Sequence, residues 1–232
     1  MTELKLYSTI AVQPVIEILM PRFETTHRTK FTVAWGTAPQ LVKRLSSGDK
    51  GDVLLLNRAG TDTMIKAGRL APDSVKPIAS SATAIAVKAG GKRPDISSEA
   101  ALKKSLTDAQ AISYSHPDNG GASGIYFAQL LDRWGMRQAI DAKTRFPPPA
   151  GLSAQFLTTG EVDLAVQQKP ELLQVPGIDI VGFLPGDLHM VTHFVAGVEP
   201  QSAQQALGRA FIDLLRSPEA QTLFRDKGLD PA

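Results

Sequence analysis

The stretch Ser113–Trp134, SYSHPDNGGASGIYFAQLLDRW, constrains the fold more than any other part of the chain. The apolar run Ala109–Tyr114 reads as a buried strand bounded by turn residues. Phe127, Leu130, Leu131 and Trp134 follow at i, i+3, i+4 and i+7, one face of a helix. Ser115-His116-Pro117-Asp118-Asn119-Gly120-Gly121-Ala122-Ser123-Gly124 joins the two. A glycine-rich loop at a helix start leaves backbone N–H groups free, and here small hydroxyl side chains stand beside them. That is the chemistry of a cradle for an anion or a carboxylate. The spacing matches neither a phosphate loop nor a dinucleotide fingerprint, and no Lys follows the glycines.

The same strand-then-helix pattern opens the chain. Leu4–Ser8 reads as a strand, followed by a helix burying Val15, Ile18, Leu19 and Phe23. Lys30–Trp35 and Asp52–Leu56 read as further strands, each followed by a helix, at Gln40–Ser47 and Thr61–Ala67. This β-α-β-α-β-α order predicts an α/β fold with a doubly wound sheet. Lys76–Lys88 then reads as one long extended segment. A helix from Ser97 to Leu106 starts a second series, which holds the Ala109–Tyr114 strand, a short strand at Lys143–Phe146, a helix at Leu152–Thr159 and a strand at Asp163–Gln167. Ile178–Leu184 and His189–Val198 are extended, and two amphipathic helices close the chain. The pattern predicts two α/β lobes, 1–80 with 190–232 and an inserted 81–189, with crossovers near 76–88 and 180–198. Ligands of such sheets bind beyond the carboxyl ends of the strands, so the expected site is a hinged interlobe cleft lined by helix N-termini.

Composition narrows the function classes. With 43% hydrophobic residues over 232 positions the chain can bury a large core. A net charge of +2, with Lys and Arg scattered, argues against a nucleic-acid partner. No segment is apolar for long enough to suggest membrane insertion. The chain has no Cys, so no thiolate metal site or Cys nucleophile is expected. His189 and His193 are four apart in an extended reading, which would separate them by roughly 13 Å at about 3.3 Å per residue. No metal site and no cofactor are therefore expected. Gly121-Ala122-Ser123-Gly124 lacks the nucleophile-elbow spacing of a serine hydrolase.

LKLYSTIAVQPVIEIL, GTAPQL, GDVLLLN, YSHPDNGGASGIYFAQLL, TTGEVDLAVQQKPELL and the closing RSPEAQTLFRDKGL, in this order, resemble the molybdate-type periplasmic solute-binding proteins. The likeness runs along essentially the whole chain. It implies a type II periplasmic-binding fold, a monomer, a small anion as ligand and an ABC permease as partner. It also implies export to the periplasm, although Met1-Thr2 leads directly into Leu4–Ser8 without a signal peptide. Loop residues implied to touch the ligand are Ser8, Thr9 and Ile10, then Gly36, Thr37 and Ala38. On the second lobe the candidates come from the residues themselves: Ser115, Asn119, Gly121, Ser123 and Gly124 of the glycine-rich loop, Ser81 in the long extended segment, and Tyr126 near the helix start, which could reach the ligand or the core.

Where this family places a Tyr against molybdate, the chain has Gln167 and Gln168. These, with Asn57 and Arg58, offer hydrogen bonds suited to a larger planar carboxylate, because an Arg fork matches a carboxylate bidentately. The expected function is therefore binding of a small organic carboxylate for transport. The family also includes an enzymatic offshoot, aconitate isomerase, which moves a proton along an allylic carbon chain. On that alternative His116 is the candidate base, since an imidazole shuttles protons near neutral pH, and Arg58 the clamp. The plainer roles are a cap for His116 and a surface position for Arg58.

Overall fold

The computed structural model describes residues 2–232. By the density of its internal packing the chain divides into two compact units. Unit 1 runs through Ser80 and resumes at Thr192–Ala232, and unit 2 is the continuous stretch Ser81–Val191.

Unit 1 begins β1 (Thr2–Thr9), α1 (Gln13–His27), β2 (Thr29–Gly36), α2 (Ala38–Ser46), β3 (Val53–Asn57) and α3 (Arg58–Lys66), and then enters β4 (Lys76–Lys88). β1 lies parallel to both β2 and β3, with Thr9 beside Gly36 and Ser8 beside Leu55. All three strands thus end at one edge of the sheet, where the next helix starts. Their residues alternate between two faces, as period two requires. Leu4, Leu6, Val53 and Leu55 pack with α1, while Tyr7, Leu54 and Leu56 pack with α2 and α3. Each such fully buried Leu contributes about 1.5–3 kcal/mol.

The buried stripe of α1 is Val15, Ile16, Leu19 and Phe23, and Ile18 is 47% exposed. This corrects the sequence reading by one position. At about 100° per residue the four buried positions span one arc, and Ile18 lies roughly 115° from its centre.

Unit 2 takes the second half of β4 and adds α4 (Glu99–Asp108), β5 (Ile112–Tyr114), α5 (Ala122–Arg133), α6 (Arg137–Asp141), α7 (Gln155–Thr159), β6 (Leu164–Gln168), α8 (Lys169–Leu172) and β7 (Ile178–Phe183). β5 runs parallel to β6, and β4 runs antiparallel to both β6 and β7. Thr83 pairs with Gln168 and Ala84 with Phe183, so β5, β6 and β7 also end at a common edge. One face carries Ile85, Ile112, Tyr114 and Val166 under α4 and α5. The other carries Ala84, Ala86 and Ala165, small enough for the short α7 and α8 to lie close.

Two strands expected from the sequence are shorter here. β5 begins only at Ile112, because the N–H groups of Gln110 and Ala111 donate to Asp163 Oδ2. The expected strand at Lys143–Phe146 is a single bridge, Thr144 to Ile112. Pro147, Pro148 and Pro149 follow it and have no N–H to extend a ladder.

The chain returns to unit 1 through β8 (Val191–Val198), α9 (Gln205–Leu215), α10 (Pro218–Asp226) and β9 (Asp230–Pro231). β8 lies antiparallel to β3, placing Phe194 beside Asn57. Phe211 of α9 meets Phe23 and Phe31 at ring centroid distances of 5.2 and 4.8 Å, tying the C-terminal helices to α1 and β2. Among the described residues no helix is long and apolar enough to cross a membrane.

Candidate functional site

The strand-end edge of unit 1 gathers three loops. Thr9 ends β1 in an extended conformation and gives the next turn no side-chain cap. Its Oγ1 is buried and finds no hydrogen-bond partner among the described residues. Ser8 is fully buried, and its hydroxyl donates at 3.3 Å to the Thr9 carbonyl. Ile10 is buried beside them. At the second loop Thr37 and Gln40 form a reciprocal capping box on α2. The Thr37 N–H donates to Gln40 Oε1 at 3.0 Å. Gly36 lies tight against this box, since a Cβ there would sit 3.3 Å from Gln40 Oε1. Ala38 is buried in the first turn.

The third loop uses its residues structurally. Asn57 Oδ1 accepts from the Gly60 N–H at 2.9 Å, so this side chain caps α3. Arg58 is mostly exposed and pairs with Asp62 at 2.9 Å along the same helix, the surface role. Replacing Asn57 by Ala should cost about 1 kcal/mol in urea unfolding, the usual value of a lost cap, and Asn57→Asp should retain it.

The strand-end edge of unit 2 is built more fully. Ser115 follows β5 and lies next to the start of α5. Gly124 packs so closely on it that an added Cβ would stand 2.2 Å from the Ser115 carbonyl oxygen. No side chain caps α5 at Gly121, and its first-turn N–H groups have no partner within the helix. Ser123 is buried in that turn. Gly120 holds φ at 78°, a left-handed turn that glycine adopts without strain. Tyr126 is half-buried and its hydroxyl donates to the Leu188 carbonyl.

His116 takes the capping role. Its Nδ1 accepts from the Asp118 N–H at 3.2 Å, and its ring packs edge-on to Phe146 at 4.6 Å. With Nδ1 accepting, the proton of the neutral ring sits on Nε2, so that atom is a donor.

Next along the edge stand Gln167 and Gln168, both buried. The Gln167 amide is spent inside the unit. Its Oε1 accepts from the Ser153 N–H at 2.8 Å and its Nε2 donates to the Gly151 carbonyl at 3.1 Å. It also bonds to Glu171. Gln167 thus staples the proline loop to β6 rather than reaching outward. Glu171 itself is buried, and desolvation pushes its carboxyl up to about 7 against the opposing pull of hydrogen bonds from Gln168 and Gln167.

Two residues missed in the sequence complete this edge. Thr83 and Ser153 are fully buried, and neither hydroxyl finds a partner among the described residues. Thr83 was legible as the i+2 neighbour of Ser81, on the same strand face. Ser81 is buried, with only a weak 3.4 Å contact to the Ala82 carbonyl. Ser153 carried no signal beyond following the proline loop. Among the described residues no three His, Asp or Glu side chains gather into a metal-holding group. His189 precedes β8 rather than lying in it.

Comparison with known proteins places this architecture. The model for bacterial extracellular solute-binding protein matches residues 4–230. A Pseudomonas protein named aconitate isomerase is 32% identical over 236 residues, covering 99% of this chain and 88% of that one. Among solved structures, the periplasmic molybdate-binding protein of Azotobacter vinelandii superposes with a TM-score of 0.76 at 17% identity, over 97% of this chain and 98% of that one. A periplasmic thiamin-binding protein superposes at 0.76 and 18% identity, over 99% and 83%. The sulfate-binding protein SubI of Mycobacterium tuberculosis superposes at 0.72 and 14% identity, over 100% and 88%. At such identities the likeness is one of fold, and these three ligands differ too much for fold to choose among them. The match along nearly the whole chain and the full-length relative settle the family: this chain belongs to the bacterial extracellular solute-binding proteins.

Proposed function

We propose that the chain binds a small organic anion through carboxylate groups at the strand-end edge of unit 2, where α5 begins. One observation carries this reading. Among the described residues the buried hydroxyls of Thr83 and Ser153 find no hydrogen-bond partner, and the uncapped start of α5 adds backbone N–H donors. Buried donors of this kind are costly unless a ligand supplies acceptors. An anion is all acceptor, and a helix N-terminus favours its charge. Support for a carboxylate over a metal oxyanion comes from the relative named for aconitate. As a transport component in the periplasm, the protein would deliver this ligand to an ABC permease without altering it.

A second reading is favoured by the same relative: isomerisation of aconitate by allylic proton transfer. His116 remains the candidate base, but its ring must first release the Asp118 N–H before Nδ1 can accept a proton from carbon.

Proton NMR of trans-aconitate in D₂O with the protein separates these readings. The binding reading expects broadened or shifted ligand signals with no new species. Appearance of cis-aconitate carrying deuterium at carbon establishes the isomerase, and His116→Ala should then lower turnover by about 10²–10⁴-fold. Unaffected spectra remove aconitate from both.

A further inference from the structure

Beyond the hydroxyl-bearing residues, the strand-end edge of unit 2 carries a second feature of different chemistry. Phe183 ends β7, which pairs only with β4 among the described residues, and 40% of its surface is exposed. Lys169 Nζ stands 5.7 Å from the centre of that ring, and the His189 ring meets it at 5.4 Å and 87°, edge against face. Phe183 and His189 are joined by the short turn that follows β7, and Lys169 is brought beside them by strand register. Ala84 of β4 pairs with Phe183 on one side, and its neighbour Thr83 pairs with Gln168 on the other, directly before Lys169.

Neither basic group has an acidic partner among the described residues. Glu171, two residues on from Lys169, is buried and bonded to Gln167 and Gln168. Asp187, two residues before His189, is exposed and forms no ion pair. An ammonium held over an aromatic ring keeps its charge and loses part of its freedom, so it is ready to meet an anion. The exposed ring beside it offers apolar contact, which a hydrocarbon skeleton can use and a compact inorganic oxyanion cannot.

We propose that Lys169, His189 and Phe183 form a carboxylate-binding station that selects organic acids carrying more than one carboxylate. One carboxylate takes the donors along the edge, and a further one meets Lys169 and His189 while the carbon chain lies on Phe183. The proposal rests on the carboxylate reading above and deepens it.

Isothermal titration calorimetry with trans-aconitate, citrate, acetate and molybdate tests it on the full chain. Lys169→Met, which keeps the methylene packing, should weaken trans-aconitate and citrate by about tenfold, the scale of one lost charge-assisted hydrogen bond. Lys169→Arg should recover most of that loss, and the thermal midpoint should stay that of the parent in both variants. His189→Gln should act in the same direction. If the parent binds the polycarboxylates and both Lys169→Met and His189→Gln bind them equally well, the station is wrong while the carboxylate reading stands. If the parent binds neither polycarboxylate, the carboxylate reading fails and the station falls with it.

Discussion

Glu171→Gln is expected to match the parent protein in stability at pH 4 and to exceed it by about 3 kcal/mol at pH 8.5. The carboxyl is buried beside Gln167 and Gln168, and burial raises it from an ordinary 4.5 to about 7. Below 4.5 the group is protonated whether the chain is folded or not, so it does not affect stability. Between 4.5 and 7 the unfolded chain releases the proton while the folded chain keeps it. Folding therefore loses stability as pH rises, at about 1.4 kcal/mol per pH unit, until the folded carboxyl ionises as well. A glutamine cannot ionise and escapes this loss. Urea unfolding of both proteins at pH 4, 5.5, 7 and 8.5 measures the gap directly. Curves that stay parallel across that range would show that Glu171 is not the buried acid described here.

Gly124→Ala should cost about 3 kcal/mol, the upper end of the overpacking range. The added methyl would stand 2.2 Å from the Ser115 carbonyl oxygen and 2.9 Å from its carbonyl carbon. Both are backbone atoms at the end of β5, so no flexible side chain can move aside. Either α5 shifts outward or the loop after β5 is displaced, and both moves disturb the first-turn N–H groups assigned to the ligand. Loss of stability should therefore be accompanied by loss of trans-aconitate binding. Gly121→Ala is the control, because its nearest contact would be an ordinary 3.4 Å to the Ser115 side chain. A Gly124→Ala protein with the parental urea midpoint would refute this close approach.

Much of the fold was legible because unit 1 writes its architecture locally. Each strand is followed by its own helix, and β4 spans the same Lys76–Lys88 that the extended run indicated. What escaped depends on distant chain segments. β9 has two residues and exists only because Ala79 and Ser80 pair with it. The strand expected near Lys143 failed because prolines remove the donors a ladder needs. In the site, residue type was a better guide than residue use. Asn57 and Gln167 were rightly seen as hydrogen-bonding side chains near strand ends, yet both bond within the chain. Glu171 sits in a KPELL segment in which the sequence shows at most a turn of helix, and burial of that turn beside β6 makes it an interior acid. Lys169 comes beside Phe183 and His189 only through the pairing of β4 with β6 and β7, which no local pattern reveals.

The way β4 and β9 close unit 1 bears on how the chain folds during synthesis. Unit 2 is one continuous stretch, and its strands and helices are all available once Val191 has left the ribosome. Unit 1 is made first but cannot finish first. Its core needs Phe211, Phe224 and Leu229, and β9 reaches β4 only through Asp230 and Pro231. Domains commonly fold as they emerge, N-terminal first, and here the insertion reverses that order. The first 80 residues wait as a partly covered sheet, with the face that takes α9 and α10 open to any nascent-chain chaperone. Emergence of Asp230 and Pro231 then completes the older half of the molecule.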